Sequence, residues 1–536
     1  MYSECLQFTE IPHTSRLFTD FVYSPDQVRR FLPQPPRSPE QWQQQVTLTR
    51  QHRSVHARTA EILERQNRAW GAAEPALSNA KRLGQGALAV VTGQQAGLFG
   101  GPAFAFYKAL TAIRAAREFT RAGVDCVPVF WIASEDHDIQ EINHVFLPSS
   151  SGPRRVTVPG EGVEGAPASS VRLGASILDA LRAAGQVFGE SEMVARLQAA
   201  YHPDATFASA FAYFVASIFS PFGLVLMDPS EPELHALAAP ILTAAVEHSA
   251  ELNQQVRERG RELEAAGYHQ QVKVTSATAF LFSLENGSRT PIHRINGNFG
   301  AGAKEWTAGG LLELVGRELQ RFSPNALLRS SVQDYLLPTA LYVGGPAEIA
   351  YWAQSAPVQE KLLGRVTCIA HRFSATLVEP GEQRLMSRYE LRLPDLFAGL
   401  ERSREWLARR VIPGSLQKSF DSAAADLSTD LAVVSKELQA LDPTLVASAT
   451  RAASKMAYQL ERLRGRAARA ELRRNQEIAR HADRLSFALY PNQQLQEREY
   501  PGAYYGARYG TGLLDELLRQ IKLDCPHHQV ISSLTS

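Results

Sequence analysis

Residues 87–132 read ALAVVTGQQAGLFGGPAFAFYKALTAIRAAREFTRAGVDCVPVFWI. Ala87–Val91 is an apolar run of strand length, followed by the loop TGQQAGLFGGP (92–102) and an Ala-rich segment. In that segment Phe106, Leu110 and Ile113 recur at helical spacing,. Gly100 and Gly101 open the helix, and Pro102 suits a first turn, where a missing N–H costs nothing,. The helix is expected to stop near Gly123, and Val127–Ile132 forms a second apolar strand. Strand, helix and strand take about 45 residues, the size of a βαβ unit with parallel strands and a right-handed crossover.

The same grammar recurs outward from this unit. Gly223–Met227 is an apolar strand ending in Asp228-Pro229, with a helix expected near Glu233. Leu341–Val343 leads into GGPAEIAYW (344–352), and a further strand pair is expected around Cys368–Val378. Between these, residues 149–170 and 271–299 read as insertions with short antiparallel strands,. The core is therefore predicted to be a doubly wound α/β sheet.

From about Leu391 the pattern changes. Leu427, Leu431, Val434, Leu438 and Leu441 form a heptad seam, and Met456, Leu460, Leu463, Ala467 and Ala470 repeat it after Pro443,. Residues 414–442 carry two lysines and five acids, whereas 451–484 carry ten Lys/Arg and four acids. These opposite charges suit two long helices paired as an antiparallel hairpin, the simpler reading of a basic helix than RNA binding. The expected organisation is an arm with helices over 1–86 (including a Pro-rich stretch, 32–39), and a sheet core over 87–388 with insertions at about 149–210 and 265–325. A coiled-coil hairpin over 389–486 and a C-terminal return packing on the core over 487–536 complete it.

Composition narrows the function. The 536 residues hold 56 Lys+Arg and 55 Asp+Glu, a formal net charge of +1, so no global field favours nucleic acid or an anionic membrane,. Four cysteines (Cys5, Cys126, Cys368, Cys525) without a CxxC exclude a disulfide-dense scaffold and a cysteine zinc cluster,. The polar N-terminal sequence reads as no signal peptide, and no uncharged run approaches the roughly 18 residues of a membrane span. The expectation is a cytoplasmic protein.

In a parallel sheet the loops after the strands emerge at one edge, where open α/β sheets bind ligands. Those loops supply Thr92, Gly93, Gln94, Gln95, Gly97, Gly100 and Gly101, then Glu135, Asp136, His137, Asp138 and Asn143, then Asp228, and finally Gly344, Gly345, Glu348 and Tyr351. The first loop has the physics of an anion cradle at a helix N-terminus, against the alternative of a tight turn. Lys108 is placed to reach a phosphate or carboxylate, or to be a solvated helix lysine. Glu135–Asp138 is a dense titratable cluster suited to acid/base work, with His137 the natural proton carrier; the alternative is an acidic helix cap. Asp136, His137, Asp138, Glu141 and His144 also offer metal-ligand chemistry, which leaves a metal-dependent hydrolase or transferase open. Arg329, beside Gln333, and Arg372 are candidate carboxylate or phosphate clamps.

Val90–Ile113, VPVFWIASEDHDIQEINHVFLP (127–148), LPTALYVGGPAEIAYWAQ (337–354) and YPNQQLQER (490–498) resemble the BshC family, the cysteine-adding enzymes of bacillithiol biosynthesis. The resemblance runs in order over nearly the whole chain. It implies a Rossmann-like core with inserted connecting segments and a coiled coil that mediates homodimerisation. It also implies an amide-forming carbon–nitrogen ligase, joining the cysteine carboxyl to the amine of glucosaminyl-malate in the last step of the pathway. That chemistry needs carboxyl activation, for which ATP is the expected nucleotide, and a base such as His137 or a neighbouring carboxylate. The backbone amides of Gly93–Gly101 are expected to steady phosphate or an oxyanion, and Arg329 or Lys108 to hold malate or phosphate. The HxGH and KMSKS signatures of class I aminoacyl-tRNA synthetases are absent. A coiled-coil interaction protein with a vestigial cleft is the reading from another class.

Overall fold

The computed structural model describes residues 2–33, 41, 46–49, 53–410 and 413–534. Most of the Pro-rich stretch expected at 32–39 lies outside the described residues. The described chain forms two compact units. One comprises Met1–Leu147, Arg154–Thr376 and Glu497–Ser536, and the other Pro148–Pro153 and Leu377–Gln496.

The first unit is built on a five-stranded parallel sheet. Its spatial order is Ile369–His371, Thr339–Gly344, Leu88–Gln94, Cys126–Ile132, Val225–Met227. Every residue of Cys126–Ile132 is buried, as a parallel strand covered on both faces requires,. Helix Ala103–Arg121 returns the chain between the first two strands, packing Ala112, Ala115 and Ala116 against Leu88, Val90, Ala340 and Val343. The small alanines let helix and sheet approach closely. The chain winds from Leu88–Gln94 outward to Val225–Met227, then crosses to Thr339–Gly344 on the other side. That reversal opens a crevice beyond the carboxyl ends of Leu88–Gln94 and Thr339–Gly344, where such sheets bind ligands.

The region expected as an insertion near 271–299 contributes a second, antiparallel sheet. It is ordered Lys304–Trp306, Asn298–Ala301, Ser288–Ile295, Thr278–Glu285, Phe322–Pro324. Residues 497–536 return to the same unit: Ala103 N–H donates to the Tyr500 carbonyl at 2.8 Å, and His528–Ser532 pairs antiparallel with Tyr2–Leu6. Gly502 sits so close to the Phe106 ring that a Cβ would lie 2.5 Å from it.

The second unit carries two long helices, Gly414–Leu441 and Val446–Arg474, joined through a turn at Pro443–Leu445. Asp442 caps that turn by accepting from Thr444 N–H at 2.8 Å. Arg464 donates to Asp421 across the pair at 2.6 Å. The heptad reading holds only in part. Leu427, Leu431 and Leu460 line a groove of about 540 Å³ with Ala424, Ala453 and Ala457, but Val434, Leu441, Met456 and Leu463 are exposed. Two helices whose facing positions are largely alanine and serine leave part of each apolar stripe uncovered. Among the described residues, no helix is long and apolar enough to cross a membrane.

Candidate active site

The crevice is a cavity of about 710 Å³, formed within the first unit. Its chemistry divides into a wall and a rim.

The wall begins at Lys108, which is 3% exposed. Its ammonium donates to the Gly93 carbonyl at 2.9 Å and Gln94 Oε1 at 2.8 Å, and meets Glu348 Oε2 at 2.5 Å. Burial pulls its pKa below the ordinary value, and the pairing with Glu348 opposes that shift. Glu348 is the third residue of helix Pro346–Leu363 and accepts from Gly345 N–H at 2.7 Å and Tyr342 Oη–H at 2.6 Å. Arg329 donates to Gln333 Oε1 at 3.0 Å and Tyr351 Oη at 3.1 Å, with its guanidinium near the Tyr342 and Trp131 rings. Arg372, 3% exposed, donates to Glu497 Oε1 at 2.7 Å and to the Phe373 carbonyl at 2.8 Å. Glu497 also accepts from Ser374 Oγ–H at 2.8 Å and Ala375 N–H at 3.0 Å. Burial opposes its ionisation, yet Arg372 and these donors hold its pKa below the usual carboxylate range.

The rim is built from the loops that follow Leu88–Gln94 and Cys126–Ile132. Gln95 Nε2 donates to Asp136 Oδ2 at 2.8 Å and to Glu141 Oε2 at 2.5 Å, so the two distant loops meet directly. Asp136 Oδ1 accepts from Asp138 N–H at 3.2 Å, closing a tight turn. Glu135 is committed elsewhere: its Oε1 lies 3.0 Å from Nε2 of His235, whose Nδ1 faces the Leu319 carbonyl at 3.2 Å. Burial would lower the His235 pKa, but Glu135 and that carbonyl raise it overall. His137 stands beside Arg289, with Nδ1 to Nη1 at 3.3 Å, and its ring packs on Phe282. Burial, then Arg289, lowers its pKa, against the pull of Asp136 and Asp138.

Of the residues read from sequence, Gly93, Gln94, Gln95, Lys108, Glu135, Asp136, His137, Arg329, Gly345, Glu348, Tyr351 and Arg372 line the cavity. Others do not. Thr92 is buried and ties two strands by donating to the Val343 carbonyl at 2.8 Å. Gly97, Gly100 and Gly101 form no phosphate cradle: their N–H groups donate to Gln95, Gly97 and Leu98 carbonyls, and Gly100 also to Tyr201 Oη. Gly100 (φ 84°) and Gly101 (φ 71°) serve a left-handed turn packed against Phe106 and Phe214. Asp138 is exposed at the N-cap of Ile139–Ile142. Asn143 ends that short helix, its carbonyl accepting from Val158 N–H. Asp228 is consumed by Ser134 and Ser230, shaping the turn after Val225–Met227. Gln333 acts behind Arg329, and Gly344 packs on Ile369 and Glu348. His144 turns its Nδ1 to the Gln140 carbonyl, and among the described residues no group of three His, Cys, Asp or Glu converges as metal ligands.

Sequence reasoning missed Phe104, Phe282, Arg289, Tyr342 and Arg498 on the lining. The YPNQQLQER stretch carried a signal for Arg498 and its neighbour Glu497; nothing in the alternating hairpin around Arg289 did.

A two-part family description matches the whole architecture: Bacillithiol biosynthesis BshC, N-terminal Rossmann-like domain, over residues 1–373, and its C-terminal coiled-coil domain over residues 375–533. The chain belongs to the BshC family. A Koribacter versatilis protein named "Putative cysteine ligase BshC" is 42% identical over 99% of this chain and 100% of its own length. Relatives of the same name from Solibacter usitatus and Symbiobacterium thermophilum are 36% and 35% identical, over 99% and 87% of this chain and 100% and 88% of theirs. The Rossmann-like and coiled-coil parts of the BshC architecture correspond to the parallel sheet and the long helix pair described above.

Proposed function

We propose that the chain is a cysteine ligase that forms an amide between the carboxyl of L-cysteine and the amine of glucosaminyl-malate, with ATP as the activating co-substrate, as the last step of bacillithiol formation in the cytoplasm. The observation that carries this reading is the polarity of the cavity. Lys108, Arg329, Arg372 and Arg498 line the cavity together with the carboxylates of Asp136 and Glu141; Glu348 is paired with Lys108 and Arg289 stands beside His137. The cationic wall suits malate carboxylates and nucleotide phosphates, whereas the acidic rim suits a sugar ammonium. An activated cysteinyl carboxyl has its C–O bond to a phosphate-bearing leaving group. The ammonium first gives a proton to a base; as the resulting amine adds, the new C–N bond forms, that C–O bond breaks, and the second proton leaves the nitrogen for the departing phosphate group or solvent. We assign that base to Asp136, because Glu135 is paired with His235 and Asp136 adjoins His137 in the cavity lining. Gln95 holds Asp136 in place through a neutral donor,.

Purified chain incubated with L-cysteine, glucosaminyl-malate and ATP is expected to yield the cysteinyl amide by mass spectrometry, with stoichiometric nucleotide cleavage. Equal product without nucleotide would remove ATP from the scheme; no cysteine-dependent product would remove the ligase reading. The exposed apolar residues Val433, Val434, Leu441, Met456 and Leu463 on the long helices also favour a homodimer through the coiled coil,. Light scattering should give twice the 59.0 kDa chain mass, and a monomeric mass would contradict it.

A further inference from the structure

We propose that His137 works as a neutral hydrogen-bond donor through Nε2–H, and that Arg289 is the positioning residue that keeps it in that tautomer. This rests on the ligase reading for the identity of the acceptor, but the tautomer itself does not.

A guanidinium donates and cannot accept, so the 3.3 Å approach of Arg289 Nη1 makes His137 Nδ1 the acceptor,. A neutral imidazole has one proton, which is therefore on Nε2. Arg289 has little freedom to do otherwise. Its Nε donates to Ser323 Oγ at 2.9 Å, its Nη2 donates to the Pro324 carbonyl at 2.6 Å, and its guanidinium lies 3.9 Å from the Phe282 ring centroid. The same ring packs on His137, so one aromatic platform from the antiparallel sheet carries both groups. Among the described residues, His137 Nε2 has no protein partner.

Charge agrees with the geometry. The groups that face His137 are Arg289 from the hairpin and Asp136 and Asp138 from its own loop. Burial and the guanidinium outweigh the two carboxylates and disfavour imidazolium. Nδ1 lies 3.8 Å from Asp136 Oδ1 but closer, at 3.3 Å, to the Arg289 guanidinium, which must donate to it, so this nitrogen is a poor place for a proton and His137 is unsuited to the base role the sequence suggested. A neutral N–H donor in a half-buried cleft is suited instead to an oxygen that gains negative charge, here the carbonyl oxygen of the activated cysteinyl group as the amine adds. Asp136 takes the proton and His137 steadies the oxyanion.

The test is NMR of isotope-labelled histidines in the full-length protein, with the His137 signal assigned by its loss in His137→Gln. The proposal expects a protonated Nε2 and bare Nδ1 at neutral pH, with titration below the ordinary histidine range. Arg289→Met should raise that titration point and populate both tautomers, and Arg289→Lys should partly restore the parent pattern. In turnover assays His137→Gln, which keeps an N–H donor, should retain more kcat than His137→Ala. The latter should fall by about 10²-fold or more, while the acid limb of the pH–rate profile stays in place. A protonated Nδ1, a titration point indifferent to Arg289→Met, or loss of the acid limb in His137→Gln would overturn the proposal. Were the tautomer found and no amide formed, the ligase reading would fail and the positioning of His137 by Arg289 would stand.

Discussion

The two sides of the cavity differ in how fully their polar groups are used. On the wall, the Lys108 ammonium has three acceptors, Glu348 three donors and Glu497 three donors, and all three side chains are buried or nearly so. On the rim, Asp136 and His137 have roughly a third of their side-chain surface exposed and few protein partners. A saturated, buried network holds shape and presents fixed charge; an unsaturated, half-exposed one has lone pairs and protons left for a substrate. Both contain ionisable clusters, so charge density alone does not mark the reacting groups.

The sharpest way to break this contrast is at the rim. Asp136→Asn keeps the size but removes the proposed base and, because an amide has one accepting oxygen, one of the two hydrogen bonds from Gln95 and Asp138, so kcat should fall about 10²–10⁴-fold while stability changes by about 1 kcal/mol or less. A variant with near-parent turnover would return Asp136 to a capping role. Lys108→Ala probes the wall. It leaves the Glu348 carboxylate buried without its cation, which should destabilise the first unit by about 3–5 kcal/mol, read by urea unfolding. Full stability with lost activity would make Lys108 a rim-type residue.

Acid behaviour separates the sides next. His528 accepts or donates between Ser374 Oγ and Thr376 Oγ1 behind Arg372, and burial pushes its pKa down to about 4. Burial likewise pushes His371 down to about 3. Both folded values lie below the about 6.5 of an unfolded histidine, so the unfolded chain binds more protons in that interval. Their stabilising effect is complete above about pH 6.5 and is lost as the pH falls towards the folded values. Melting temperature against pH should fall through that window, and His528→Asn should flatten the curve; an unchanged slope would contradict it. The smallest effect belongs to Gln95→Ala. Loss of a neutral hydrogen bond should lower kcat/KM by about fivefold and alter stability by less than about 0.5 kcal/mol.

Much of this arrangement was legible in the amino-acid order. Strand-length apolar runs at 87–91 and 127–132, each followed by a polar loop, required Gln95 and Asp136 to meet once the strands were parallel neighbours. What escaped reading depended on partners distant in sequence. Gly97–Gly101 has the composition of a phosphate loop, but its amides turn inward because Tyr201 and the local carbonyls take them. Asp228 and Glu135 look reactive until Ser134, Ser230 and His235 are brought to them. Arg289 sits in an alternating hairpin that resembles any solvent-exposed ribbon. Only the antiparallel sheet, closed by Phe322–Pro324 against Thr278–Glu285, carries it to the cavity.

The central claim is that the acidic rim receives the amine and the cationic wall receives the anions. A crystal soaked with glucosaminyl-malate measures this directly. The account predicts the sugar nitrogen within hydrogen-bond distance of Asp136 and the malate carboxylates against Arg329, Arg372 or Lys108. The sugar nitrogen turned to the wall, with malate at Asp136 and Glu141, would contradict it.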